Sequence, residues 1–160
     1  MDGELELQDL YRDVLLDYFR STSHKGSLNS PDLQSEGINP VCGDEVCLTA
    51  AVKSRVLEKI LFRGHGCVIS QASASMMAES LEGKTLEKAK DLVQVFKSMM
   101  VQGSFEQCPE DLEELRALEG VKKYPVRVKC ALLPWNTMME GIRSVNNGNG
   151  KRQRAKYEEE

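Results

Sequence analysis

Two apolar stretches separated by only two residues constrain the fold of this chain most. VCLTAAV (46–52) and RVLEKILF (55–62) are rich in β-branched and aliphatic residues, and only Lys53 and Ser54 lie between them. So short a connection joins antiparallel neighbours, because parallel strands need a crossover of about a dozen residues or more. The chain is therefore predicted to contain an antiparallel sheet, with residues 38–41 as a third strand. The polar residues before them, 21–40, are expected to form a connection.

Helical patterns flank these strands. Apolar residues at three-four spacing predict an amphipathic helix over residues 5–20, and small residues predict a second helix over 68–82 that ends at Gly83. Thr85 is predicted to cap a third helix, and Pro109 to open a short acidic one. In the last segment, 125–144, Pro134 leaves two forms open: a kinked helix, or two short helices in succession. We predict an α+β fold with a small antiparallel sheet and helices packed on one side.

The composition is that of an ordinary globular protein, with 160 residues, 29% of them charged, and a formal net charge of -4. We expect one domain over residues 1–143 and a disordered polar tail over 144–160. Acidic and basic residues are interspersed, which predicts binding neither to nucleic acid nor to a membrane surface. The acidic start lacks the apolar core of a signal peptide, so a cytoplasmic protein is expected.

The cysteines carry the chemistry that the sequence offers. There are five, and in a reducing cytosol they are expected to be thiols or metal ligands: Cys42, Cys47, Cys67, Cys108 and Cys130. Cys42, Cys67 and Cys130, together with Asp44, would suit a tetrahedral zinc ion. Glycines beside the first two favour this, because glycine lets the backbone approach a ligand closely. The paired CxxC spacing of a zinc ribbon is absent, so the residues alone leave open that these cysteines are small buried hydrophobes.

Three motifs in order, each centred on a cysteine, resemble the SufU/IscU family of iron–sulfur cluster assembly proteins, which is similar to the NifU N-terminal domain. They are NPVCGD, GHGCVISQASASMM and RVKCALLPW, within a resemblance that spans residues 5–143. The resemblance implies an α+β fold with an antiparallel sheet and a helical layer. It also implies that the metal ligands are Cys42, Asp44, Cys67 and Cys130.

Two features favour the SufU branch of that family. Lys129 stands before Cys130 where the IscU branch typically has histidine, and residues 102–125 look like the SufU insertion. The resemblance then implies a zinc-dependent sulfurtransferase of the SUF system. Cys42 would accept persulfide sulfur from a PLP-dependent cysteine desulfurase and pass it to downstream iron–sulfur assembly proteins. The alternative is a scaffold on which an iron–sulfur cluster is assembled and transferred, with iron or a 2Fe–2S cluster in place of zinc.

The remaining chemistry-bearing residues receive weaker predictions. Arg127 is assigned a part in selecting which ligand leaves the metal. His65 is expected to face solvent, although it lies two residues before Cys67 and could reach a metal. Cys47 is expected to pack in the pleat of its strand, with a resolving thiol as the alternative, and Cys108 to be a bystander.

Overall fold

The computed structural model describes residues 2–148 and 153–156, with side chains from residue 10 to 148. Its helices are α1 (Asp2–Arg20), α2 (Val68–Leu81), α3 (Leu86–Val101) and α4 (Pro125–Asn146). Its strands are β1 (Leu33–Asn39), β2 (Asp44–Lys53), β3 (Val56–His65) and β4 (Gln153–Lys156), and a 3₁₀ helix covers Glu110–Lys123. The predicted α+β class is confirmed.

The sheet has the order β3-β2-β1-β4, in which the β3–β2 and β2–β1 pairs are antiparallel and the β1–β4 pair is parallel. The tight connection between β2 and β3 is confirmed, but its centre is Ser54–Arg55 rather than Lys53–Ser54. Both residues have left-handed φ angles, 51° and 64°. Two such residues twist the chain in the sense that the flanking strands require.

Strand β1 lies earlier than the sequence predicted. Residues 38–41 were expected to form the strand and 21–40 a connection, whereas the strand runs from Leu33 to Asn39. Every second residue of β1 is buried, but two of these buried residues are Ser35 and Gly37. The sequence of β1 therefore lacks the alternation of apolar and polar residues that predicts a strand. Ser35 and Gly37 both contact α4. Ser35 Oγ donates to Thr137 O at 2.9 Å, and a Cβ on Gly37 would lie 1.9 Å from Thr137 Oγ1.

The helices cover one face of the sheet, as predicted, and bury the core. α2 and α4 pack on each other and on the strands, while α1 packs against α2 and α3 packs against α4. Trp135 is fully buried against Phe96, with ring centroids 4.5 Å apart. The α4 helix continues through Pro134 as one helix. A hydrogen-bonded chain supports it there: Trp135 Nε1 donates to Ser73 Oγ, which donates to Ala131 O.

The C-terminal part of the chain differs from the expected disordered tail at 144–160. α4 continues to Asn146, with Ser144 buried, and residues 153–156 form β4. The prediction rested on the lack of an apolar face, but backbone pairing along β1 needs none. The rest of the predicted tail, residues 149–152 and 157–160, lies outside the described residues. The expected acidic helix after Pro109 is present as a 3₁₀ helix.

Within the described residues, no helix has both the length and the apolar character needed to cross a membrane.

Candidate metal centre

The turn between β1 and β2 carries the first two predicted site residues. Cys42 is half-buried in this turn, and Asp44, 1% exposed, is the first residue of β2. Asn39 closes the turn twice, because its carbonyl oxygen accepts from Gly43 N at 2.7 Å and its Oδ1 from Val41 N at 3.2 Å. The backbone of the cysteine loop is thereby fixed at the end of the sheet.

Cys67 caps the N-terminus of α2. Its Sγ accepts a hydrogen bond from Ser70 N at 3.4 Å, and its own backbone N–H donates to Asp44 Oδ1 at 3.0 Å. Gly66 makes this approach possible, since a Cβ there would lie 2.5 Å from both Asp44 Oδ1 and Ser70 Oγ. The free N–H groups of a helix N-terminus favour a negatively charged sulfur at this place.

Cys130, fully buried on the second turn of α4, brings these segments together. Its Sγ lies 3.5 Å from Cys42 Sγ. Ligand atoms of Cys42, Asp44 and Cys130 all lie within 4.8 Å of one another. Cys67 lies beside this set, with its Sγ 3.9 Å from Asp44 Oδ2. The structure therefore brings Cys42, Asp44 and Cys130 together as a possible metal site and places Cys67 next to Asp44, outside that group of three.

The pKa values of the Cys67 and Cys130 thiols are shifted in opposite directions. Hydrogen bonding from the Cys130 thiol, helped by Ser70 and opposed by burial, lowers the pKa of Cys67 to about 5. The same hydrogen bond, together with burial and the neighbouring Asp44, raises the pKa of Cys130. The two thiols therefore differ in acidity, and Cys67 ionises more readily than Cys130.

Arg127 lies one turn before Cys130, at the solvent side of the cluster. The negative charge of Cys67, followed by that of Cys130, raises the pKa of the Arg127 guanidinium, which also hydrogen bonds to Cys130. An exposed cation in this position offsets part of the negative charge that three thiolates and a carboxylate carry when all are ionised.

This donor set fits zinc. Zn–S bonds of about 2.3 Å in a tetrahedral site place ligand atoms about 3.8 Å apart. The Cys42–Cys130 and Cys67–Asp44 separations of 3.5 and 3.9 Å match that spacing. Three sulfurs and one carboxylate also suit the borderline-soft character of zinc.

Other candidates lie apart from the cluster. His65 is exposed at the end of β3, with Nε2 3.5 Å from Glu45 Oε1, as expected of a solvent-facing histidine. Cys47 is half-buried on β2, opposite Arg63 on the neighbouring strand. Cys108 Sγ lies 3.2 Å from Leu112 O in the 3₁₀ segment, where burial raises its pKa. His24, in the segment between α1 and β1, lies with its Nε2 3.2 Å from Glu82 Oε1 and is largely buried.

Sequence reasoning missed Asn39. Its Nδ2 lies 3.9 Å from Cys130 Sγ, and its side chain is 1% exposed. The available signal was the Asn-Pro pair at 39–40, a common turn initiator, directly before the cysteine loop.

Comparison with known proteins agrees with this arrangement. The family model for the NifU-like N-terminal domain matches residues 10–131. The chain belongs to the NifU-like N-terminal domain family, in which SufU and IscU proteins are found. The predicted family membership is confirmed.

Three relatives illustrate the match. The zinc-dependent sulfurtransferase SufU of Bacillus subtilis is 38% identical, over 93% of this chain and the whole of that protein. The iron–sulfur cluster assembly scaffold protein IscU of Streptococcus pyogenes is 39% identical, over 89% of this chain and 88% of that one. A crystal structure from Fervidobacterium islandicum, described as a candidate scaffold protein for the SUF system, is 36% identical with a TM-score of 0.72. The matched region covers 78% of this chain and 90% of the F. islandicum chain.

Proposed function

We propose that this protein is a zinc-dependent sulfurtransferase of iron–sulfur cluster assembly, working in the reducing cytosol. It would receive sulfur from the persulfide of a PLP-dependent cysteine desulfurase such as SufS. The observation that carries the proposal is the convergence of Cys42, Asp44 and Cys130, with Cys67 next to Asp44, from three distant segments. The SufU of B. subtilis, similar over its whole length, is named a zinc-dependent sulfurtransferase.

Asp44, Cys67 and Cys130 would hold the metal, with Cys42 as the fourth ligand. Zinc supplies a charge that keeps coordinated thiols ionised near neutral pH, without redox chemistry of its own. Cys42 suits the part of acceptor, because it is half-buried in a turn while Cys130 is fully buried on α4. A sulfur donor on another protein can reach the turn without unpacking the helix.

The proposed step is a thiol exchange at sulfur. The Cys42 thiolate attacks the terminal sulfur of the desulfurase persulfide, a new S–S bond forms on Cys42, and the partner's S–S bond breaks. The partner cysteine leaves as a thiolate, so charge is conserved and neither oxidant nor reductant is required. Arg127, whose charge faces Cys67 and Cys130, would stabilise the anionic sulfurs while Cys42 is released from its neighbours.

The decisive experiment combines metal analysis with a desulfurase assay. We expect about one zinc per chain and faster alanine formation by the desulfurase in the presence of this protein. A persulfide on Cys42 should be detectable by mass spectrometry, and Cys42→Ala should abolish both effects. Cys108→Ala is the matched control, since that thiol lies away from the cluster. Protein purified without zinc, or full stimulation by Cys42→Ala, would refute the proposal.

A scaffold function is the second candidate, favoured by the name of the S. pyogenes relative. The same three thiols and carboxylate could bind iron or a 2Fe–2S cluster. Anaerobic reconstitution that gives a stable cluster, transferable to an apoprotein, would support the scaffold. Lys129 before Cys130, where a histidine is typical of the IscU branch, is the residue to exchange in that test: Lys129→His should favour cluster retention.

A further inference from the structure

Asn39 contacts both the loop that carries Cys42 and the sulfur of Cys130, and only the first of these two thiols is proposed to accept sulfur. It is the last residue of β1 and pairs with Asp44 across the hairpin. Its main-chain oxygen and side-chain Oδ1 accept from the cysteine loop, at Gly43 N and Val41 N. From the same side chain, Nδ2 lies 3.9 Å from the sulfur of Cys130, on a helix 91 residues away in sequence.

The orientation of this amide is determined by its partners. The Val41 backbone N–H can only donate, so the atom 3.2 Å away from it must be the amide oxygen. The NH₂ group then faces Cys130 Sγ. Since Asn39 is 1% exposed, water offers little competition for either contact.

We propose that Asn39 is the positioning residue that makes Cys42, and not Cys130, the thiol that accepts sulfur; this inference rests on the proposed sulfurtransferase function. A hydrogen bond from an amide N–H to a thiolate withdraws charge from the sulfur and lowers its nucleophilicity. Asn39 directs that bond to Cys130. With its other two contacts it holds the Cys42 loop in place for attack. Asn39 thereby lowers the nucleophilicity of the Cys130 sulfur and holds the Cys42 sulfur in position for attack.

Two variants separate these contacts. Asn39→Ala removes both side-chain contacts, whereas Asn39→Asp keeps the size and the oxygen that accepts from Val41 N but removes the donor to Cys130. Ser35→Ala is the matched control, because Ser35 is also buried on β1 and hydrogen bonds to α4, away from the thiols.

The first readout is competitive alkylation by iodoacetamide, with peptide mass spectrometry giving the Cys130 to Cys42 ratio. In zinc-loaded protein the thiolates are ionised in every variant, so the ratio reports on nucleophilicity and access. We expect it to rise roughly three- to tenfold in both Asn39→Ala and Asn39→Asp, because the 3.9 Å contact from Asn39 Nδ2 to Cys130 Sγ is a hydrogen bond of ordinary strength. It should not change in Ser35→Ala. An unchanged ratio in Asn39→Asp would overturn the proposal, because that variant opens no cavity beside Cys130.

The second readout uses metal-free protein and does not depend on sulfur transfer. Amide hydrogen exchange at Val41 should accelerate in Asn39→Ala and stay slow in Asn39→Asp, because only Asn39→Ala removes the oxygen that accepts from Val41 N. If wild-type protein took up neither zinc nor persulfide, the proposed function would fail, while the exchange rates would still show whether the Asn39 side chain holds the Cys42 loop in place. With a desulfurase present, persulfide found partly on Cys130 in the Asn39 variants would support the inference. Persulfide confined to Cys42 in those variants would contradict it.

Discussion

Gly66→Ala tests how the backbone holds Asp44 in the cluster. The substitution adds a Cβ 2.5 Å from both Asp44 Oδ1 and Ser70 Oγ, far inside the 3.4 Å at which ordinary contact begins. Gly66 does not need a left-handed φ angle, so the effect is steric rather than a backbone strain. Asp44 must move away and lose its hydrogen bond from Cys67 N, now 3.0 Å long.

The size of the effect follows from that bond. A hydrogen bond to a charged group contributes about 1.5–3 kcal/mol. If the zinc site requires Asp44 in this position, zinc affinity should weaken by about 10- to 150-fold, since each 1.4 kcal/mol is a factor of about ten. The assay is competition for zinc with a chromophoric chelator, accompanied by thermal melting of the metal-free protein. For a chain of this length, each kcal/mol lost should lower Tm by about 2–4 °C.

Gly120→Ala is the matched control. An added Cβ there meets nothing within 4 Å, so zinc affinity and Tm should stay at wild-type values. Wild-type zinc affinity and Tm in Gly66→Ala would refute the reasoning, because the close approach of the Gly66 backbone would then not determine where Asp44 lies.

Further predictions concern stability and ionisation. Ser73→Ala should destabilise the protein by about 1–3 kcal/mol, since it leaves the buried Trp135 Nε1 without its acceptor; chemical denaturation measures this, with the exposed Ser98→Ala as control. In metal-free protein, alkylation of Cys67 should remain fast at neutral pH and fall as pH drops through about 5, the pKa that the Cys130 hydrogen bond gives it. Because this pKa lies below that of an unfolded cysteine, the Cys67 thiolate stabilises the fold at and above about pH 9. That stabilisation should shrink as pH falls towards 5, as acid melting curves of wild type and Cys67→Ser would show. Equal pH profiles for the two proteins would contradict this ionisation.

Much of the fold follows from local pattern. The tight β2–β3 hairpin, the helix of small residues after Cys67 and the Thr85 cap each depend on residues within a few positions of one another. Strand β1 could not be read in this way, because its inward residues are chosen for close contact with α4, a partner about 100 residues away. Continuity of α4 through Pro134 likewise depends on Ser73 and its contacts from α2.

The sequence by itself determined the family and the four residues of the cluster, because a thiolate site must keep its cysteines and their glycine neighbours in recognisable motifs. Only the tertiary structure decided how these residues differ. Burial on α4, a helix N-terminus and a hairpin turn place three chemically equal thiols in unequal surroundings. Contacts between distant segments then lower the pKa of Cys67 and raise that of Cys130. Such interactions fall off within a few ångströms, so no linear spacing of residues encodes them.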